Sequence, residues 1–168
     1  MPDFARIFPG RDTRALVNKG VTLSELNRSE EAIQAYDEVV RRFGDATELA
    51  LREPVARALF NKGVRLAQVG RSEEEIQAYD EVLRRFGDAT EPALRERVAK
   101  ALVNKGVALR ELNRPADART AFQEVTDRFA DDTNEEIKPL IETAKAAIKK
   151  LDASEKAPGE AEGAGQPP

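Results

Sequence analysis

The stretch Ala15-Leu16-Val17-Asn18-Lys19-Gly20-Val21 returns as Ala58-Leu59-Phe60-Asn61-Lys62-Gly63-Val64, 43 residues on. It returns once more, at the same spacing, as Ala101-Leu102-Val103-Asn104-Lys105-Gly106-Val107. Aligned without a gap, residues 15–57 and 58–100 are identical at 32 of 43 positions. A third copy, 101–143, keeps the register through Phe129 and then drifts. Self-similarity at a fixed period of this length marks a stacked repeat architecture, in which each unit buries its apolar face against the next. The expectation is three repeats, 15–57, 58–100 and 101–143.

Each copy carries two helical patterns separated by a short polar break. In the second pattern Ala32, Ile33, Tyr36, Val39, Val40 and Phe43 form one apolar stripe at helical spacing. Ser29 and Ser72 stand where an N-cap belongs, and Glu75 follows Ser72 at the spacing of a capping box. Arg41-Arg42 and Arg84-Arg85 fall in the last turn, where cations suit the helix dipole, and Gly44 and Gly87 supply the stop. Thr90 reads as a cap with Pro92 in the first turn, giving a helix from Glu91 to Leu112. Pro54 conflicts with an equivalent start at Glu48, so the matching helix of copy two is expected to begin near Pro54 or to kink there.

Beyond the third copy Ile137, Ile141, Ala144, Ile148 and Leu151 lie on one helical face, the pattern of a capping helix over about 134–151. A repeat domain over 12–151 follows, with an N-terminal segment 1–11 in which Phe4, Ile7 and Phe8 pad the first helix or reach another molecule. Residues 152–168 lack large apolar side chains after Asp152 and are expected to be a disordered tail. The fold class is all-α, an α-solenoid of antiparallel helix pairs with about seven helices.

Composition narrows the chemistry. The 168 residues include 27 Lys+Arg and 31 Asp+Glu, a formal charge of −4, with no Cys and no His. Without Cys there is no thiolate nucleophile, disulfide or thiolate metal site, and without His no imidazole base. A slightly acidic chain suits neither nucleic acid nor a membrane surface. No apolar run is long enough for a membrane span and no secretory leader pattern opens the chain, so a cytoplasmic location is expected. Asp131, Asp132 and Asn134 lack calcium-loop spacing, and Asn-Lys-Gly lies inside a helix rather than in a phosphate loop. Asp37-Glu38 and Asp80-Glu81 read as solvated helix surface. No catalytic residues, metal site or cofactor are expected.

The copies resemble the tetratricopeptide repeat (TPR) family. The carrying residues are Leu16, Gly20, Leu23, Ala32, Tyr36 and Val39, then Leu59, Gly63, Leu66, Glu75, Tyr79 and Val82, then Leu102, Gly106, Leu109, Ala118, Phe122 and Val125. They match the family's large–Gly–large spacing on the first helix and its small–aromatic–small spacing on the second. Val at the last small position, Glu75 for Ala and Gly44 and Gly87 for the terminal Pro depart from it. So does the period, nine residues longer than the family's usual 34. The resemblance implies a right-handed superhelix serving as a protein-interaction scaffold, with the partner unspecified.

On the first helices Leu16, Gly20, Leu23 and Leu26 form a packing face, and a second face lies about 200° around the axis. In a TPR-like superhelix that second face lines the concave groove. Its rows read Arg14/Arg57/Lys100, Val17/Phe60/Val103, Asn18/Asn61/Asn104 and Val21/Val64/Val107, then Ser24/Ala67/Arg110 and Glu25/Gln68/Glu111. This is a basic rail, an apolar floor and an amide ladder that ends in a partly acidic edge. Amides carry donor and acceptor, so such a ladder suits an extended peptide backbone, while the basic rail favours an acidic partner. Phe60, central, is the candidate anchor. The alternative is that duplication copied these residues for structural use, the Asn bridging adjacent repeats and the cations pairing with Glu48, Glu53, Glu91 or Glu96. Lys19, Lys62 and Lys105 read as structural, snorkelling past the second helix. Of the five positions of the carboxylate clamp with which some TPR domains hold heat-shock chaperone C-termini, only Asn61 and Lys100 match. The expected partner is another protein or peptide of acidic character. The rival expectation is a homo-oligomer, formed because one chain's repeat end mimics the next repeat of another.

Overall fold

The computed structural model describes residues 9–156, which form seven helices: α1 (Pro9–Glu25), α2 (Ser29–Phe43), α3 (Leu49–Gln68), α4 (Ser72–Phe86), α5 (Pro92–Glu111), α6 (Pro115–Phe129) and α7 (Lys138–Lys156). Phe4, Ile7 and Phe8 lie outside the described residues, as does the chain beyond 156. Helices α1/α2, α3/α4 and α5/α6 are hairpins, one per repeat, and α2, α4 and α6 each pack on the first helix of the following unit. The first-type helices also touch in sequence, α1 on α3, α3 on α5 and α5 on α7. Among the described residues the second-type helices make no such backbone approach to one another, so α1, α3 and α5 form the closer-spaced side of the stack. That side is its concave face.

Each hairpin closes on one aromatic ring. Gly63 sits against Tyr79, and a Cβ built there would lie 2.5 Å from the ring. Gly106 faces Phe122 in the same way, at 2.7 Å. A side chain in that gap would force the helices apart, which is why the first helix carries glycine despite its cost to helix stability. Tyr36, Tyr79 and Phe122 are each buried to 1% exposure or less, with Val39, Val82 and Val125 beside them. Burial of such side chains, about 1.5–3 kcal/mol each, carries the stability.

A polar ladder repeats across the seams. Lys62 pairs with Asp37 and Lys105 with Asp80, both at 2.5 Å. Arg71 reaches Glu30 and Arg114 reaches Glu73. Arg52 pairs with Glu91, and Arg95 with the largely buried Asp132. The same two arginines cover the rings of Phe86 and Phe129 at 5.9 and 5.1 Å. Long side chains thus fix the register between hairpins whose apolar faces are nearly interchangeable. Lys62 and Lys105 act structurally, as expected, but through these ion pairs. Asp37 and Asp80 are correspondingly not just solvated surface. Glu38 and Glu81 bind the arginine pairs of their own helices, Arg41 and Arg84 foremost, which hold both carboxyls down to about 2.

Several local expectations need correction. α3 begins at Leu49, which puts Pro54 inside the helix rather than at its start. Arg28 and Arg71, not the serines, occupy the N-cap positions, with no side-chain cap bond. No capping box forms at Ser72, because the Glu75 side chain turns into the core. Gly44 and Gly87 stay in right-handed helical conformation. Glycine at 44 instead admits the Arg85 guanidinium, which donates to the Gly44 carbonyl and would stand 2.7 Å from a Cβ there. Arg128 donates to Gly87 in the next seam. The left-handed turn positions are Asn27, Gly70 and Asn113, between the helices of each hairpin. Leu26 is 61% exposed and does not belong to the packing face. α7 runs on to Lys156, so residues 152–156 of the expected tail are helical.

α7 and the turn before it cover the last repeat, with Ile137, Ile141, Ala144, Ala147 and Leu151 buried. It packs on α5 and α6, where the first helix of a fourth repeat would stand.

Candidate concave interface

The six-row face is not uniform along the stack. Val17 and Val103 are 1% and 6% exposed and belong to the core, which corrects their placement on an open floor. Val21, Val64 and Val107 are half-buried, as is Phe60. Arg14, Asn18 and Arg57 are exposed.

The seam between α1 and α3 holds two clefts. One, of about 230 Å³, is lined by Arg14, Val17, Asn18, Glu53, Pro54 and Arg57. The other, of about 250 Å³, is lined by Val21, Ser24, Glu25, Tyr36, Asn61, Val64 and Arg65. Both are smaller than the roughly 300–1,000 Å³ of small-molecule sites, a size that suits side chains rather than a cofactor. Asn18 and Asn61 make no hydrogen bond among the described residues. The Tyr36 hydroxyl has a long contact to Ser24 Oγ, 3.5 Å, within its own repeat.

The seam between α3 and α5 is occupied by its own side chains. Phe60 stands where Val17 does and Arg97 where Pro54 does, and the Arg97 guanidinium lies over the Phe60 ring at 5.1 Å. Phe60 in turn meets Tyr79, ring centroids 5.8 Å apart. Asn104 Nδ2 donates to the Tyr79 hydroxyl at 3.2 Å. Asn104 is therefore a bridge between repeats, and Phe60 is engaged within the molecule. Lys100 is paired with Glu96. Of the basic rail only Arg14 and Arg57 lack an ion-pair partner among the described residues.

Glu75 is the buried charge of this seam. It is 6% exposed, in a position that Ala32 and Ala118 fill in the other copies. Burial first, then the nearby Glu111 carboxylate, push its carboxyl up to about 7, against a smaller lowering by Tyr79. Burial also raises the Tyr79 hydroxyl, with Asn104 opposing. Arg97 loses part of its hold on its proton through burial, and Arg57 adds like-charge repulsion.

Glu75, Arg97 and Arg65 were not among the residues expected at the site. All three occupy rows in which the copies differ, namely Ala32/Glu75/Ala118, Pro54/Arg97 and Thr22/Arg65/Ala108. Position-by-position differences between the copies would have found them.

Among the described residues no group of three or more His, Cys, Asp or Glu side chains is placed to hold a metal ion. No helix there is long and apolar enough to cross a membrane. A search of curated proteins found no match. The family model described as tetratricopeptide repeat matches residues 17–92 and 88–133, well over half of the chain. Repeats of that family generally mediate protein–protein interaction and are typically non-catalytic. The 43-residue hairpins, each closed by a glycine on an aromatic ring, are thus members of a described class, and the chain belongs to the tetratricopeptide repeat family.

Proposed function

We propose that the chain is a non-catalytic adaptor that holds a peptide segment of a partner protein along the concave groove between α1 and α3. One observation carries the reading: this seam keeps two side-chain-sized clefts lined by Arg14, Asn18, Arg57 and Asn61, which have no hydrogen-bond or ion-pair partner among the described residues, while in the next seam Phe60 stacks with Arg97 and Asn104 donates to Tyr79. Val21 and Val64 supply an apolar strip between them. A peptide-display selection on the chain, run beside Val21→Arg with Val64→Arg, tests it. The expected result is a set of peptides enriched by the parent and lost by the variant, with the helical spectrum of the two unchanged. Equal enrichment by both removes the groove as the site.

Self-association is the second reading, favoured by the outer row of α1. Ala15 and Thr22 are exposed there, whereas Ala58, Ala101 and Ala108 in matching rows are buried against a preceding repeat. Head-to-tail stacking would have to displace α7 from the other end, which weighs against it. Light scattering that gives a monomer mass at high micromolar concentration would exclude it.

A further inference from the structure

Among the described residues most cations form ion pairs within the chain. Arg14, Arg57 and Arg65 have no ion-pair partner among the described residues, and all three line the α1/α3 clefts. Around Arg57 the balance is positive. Arg14 and Arg97 stand with it against Glu53, Glu96 being paired with Lys100, in a chain whose overall charge is −4. At the other cleft the Arg65 Nε is buried with no hydrogen-bond partner. A buried unpaired donor is costly, more so on a charged group, and native structures leave few of them. Glu25 lines the same cleft but forms no ion pair with Arg65. The matching residues of the other copies are Thr22 and Ala108, so the repeat does not require a cation at this position.

On the reading that this groove holds a peptide, we infer that the bound segment is acidic: one carboxylate accepts from Arg14 and Arg57, and a second, three residues along an extended chain, accepts from Arg65. The spacing follows from the helix. Val17 and Asn18 on α1 stand seven positions before Ser24 and Glu25, and Arg57 on α3 stands eight before Arg65, which separates the two sites by about 10–12 Å, a span the long arginine side chains can shorten. A polyproline II segment has three residues per turn and rises about 3.1 Å per residue, so residues i and i+3 share a face about 9 Å apart. Arginine suits the task because its planar fork binds a carboxylate through two parallel hydrogen bonds. Glu53 precedes Arg57 by one turn and Glu25 stands in the row of Gln68, beyond Arg65, so both flank the pair from outside and repel an acid placed past either end.

The test uses the whole chain and labelled peptides on one Pro/Ala/Leu background, each carrying two Glu one to seven residues apart, with matched Gln peptides. Binding strongest at a spacing of three, and at least about tenfold weaker for the matched Gln peptide, is expected. Arg65→Gln should abolish the preference at one Glu only, and Arg14→Gln with Arg57→Gln at the other. Arg14→Glu with Arg57→Glu should move binding to a peptide with Lys at that position, which separates charge pairing from loss of fold. Gln peptides that bind as well as Glu peptides overturn the acidic ligand while leaving the groove reading in place. An optimum at another spacing overturns the extended register. No binding by any peptide of the series, together with no enrichment in the display selection, overturns the groove reading itself.

Discussion

The α1/α3 seam and the α3/α5 seam are made from copies identical at 32 of 43 positions, yet they are finished differently. In the first, Val17 and Pro54 leave a cleft, Tyr36 looks back to Ser24, and Asn61 makes no hydrogen bond among the described residues. In the second, Phe60 and Arg97 stack, Tyr79 takes a hydrogen bond from Asn104, and Glu75 is buried beside it. The shared residues build the stack in both. The handful of differences decides which seam is closed by its own side chains and which keeps open clefts. A repeat protein can thus keep one set of packing rules while the finish of each seam varies.

The largest effect should come from breaking what both seams share. Gly63→Leu forces a side chain into the Tyr79 ring, and Tyr79 is the pivot of the second seam. Overpacking of this kind costs about 3 kcal/mol. Thermal denaturation should show a large drop in Tm, and a variant that melts with the parent would mean that the glycine–ring contact does not hold the hairpin.

Glu75→Gln sharpens the comparison because no other copy buries an acid at this row. The folded carboxyl titrates near 7 and an unfolded one near 4.5, so between those values the folded state keeps a proton that the unfolded state gives up. Stability therefore falls as pH rises through that window, and the loss is complete above 7. Glutamine abolishes the titration. Parent and variant should be of similar stability near pH 4.5, and the variant should gain on the order of 2 kcal/mol by pH 8, measured by urea unfolding at each pH. Glu111, the other charged group facing Glu75, would contribute less to the window if replaced by Gln. A pH-independent difference would show that Glu75 is not the titrating group.

The overall architecture was legible because it depends on period and stripe alone. The recurring Ala-Leu-x-Asn-Lys-Gly-Val string, the Tyr36/Tyr79/Phe122 row and the Ile137–Leu151 face are periodic features, and the seven helices follow them. The individual partners were not legible for the complementary reason. Asn61 and Asn104 each have a tyrosine 25 residues earlier, but Tyr36 contacts Ser24, whose counterpart Ala67 has no hydroxyl, and only Tyr79 accepts from an asparagine. The Gly44 reading failed likewise, because its occupant, Arg85, comes from 41 residues away. A periodic pattern describes an average repeat, whereas hydrogen bonds and clefts belong to particular pairs of neighbours and to the ends of the stack.

The two tyrosines give a smaller, paired test. Tyr79→Phe removes the acceptor of Asn104 and leaves Glu75 without its facing hydroxyl, a loss of about 1–2 kcal/mol. Tyr36→Phe removes only the long contact to Ser24 and should cost less than about 0.5 kcal/mol. Equal losses would mean that the seams are energetically alike despite their geometry.

The smallest change in stability, under about 1 kcal/mol, should accompany conversion of the first seam into the second by Val17→Phe with Pro54→Arg. Phe60 keeps its ring half-exposed in the matching row, so a ring at 17 should enter the cleft rather than the core. The arginine restores the backbone donor that Pro54 lacks inside α3, which offsets crowding from the ring. Denaturation would then show little, whereas affinity for any peptide selected by the parent should fall at least about tenfold, since the ring and guanidinium fill the cleft themselves. Tight binding retained by this variant would place the ligand away from Arg14 and Arg57, and would mean that the difference between the seams is a matter of packing without functional consequence.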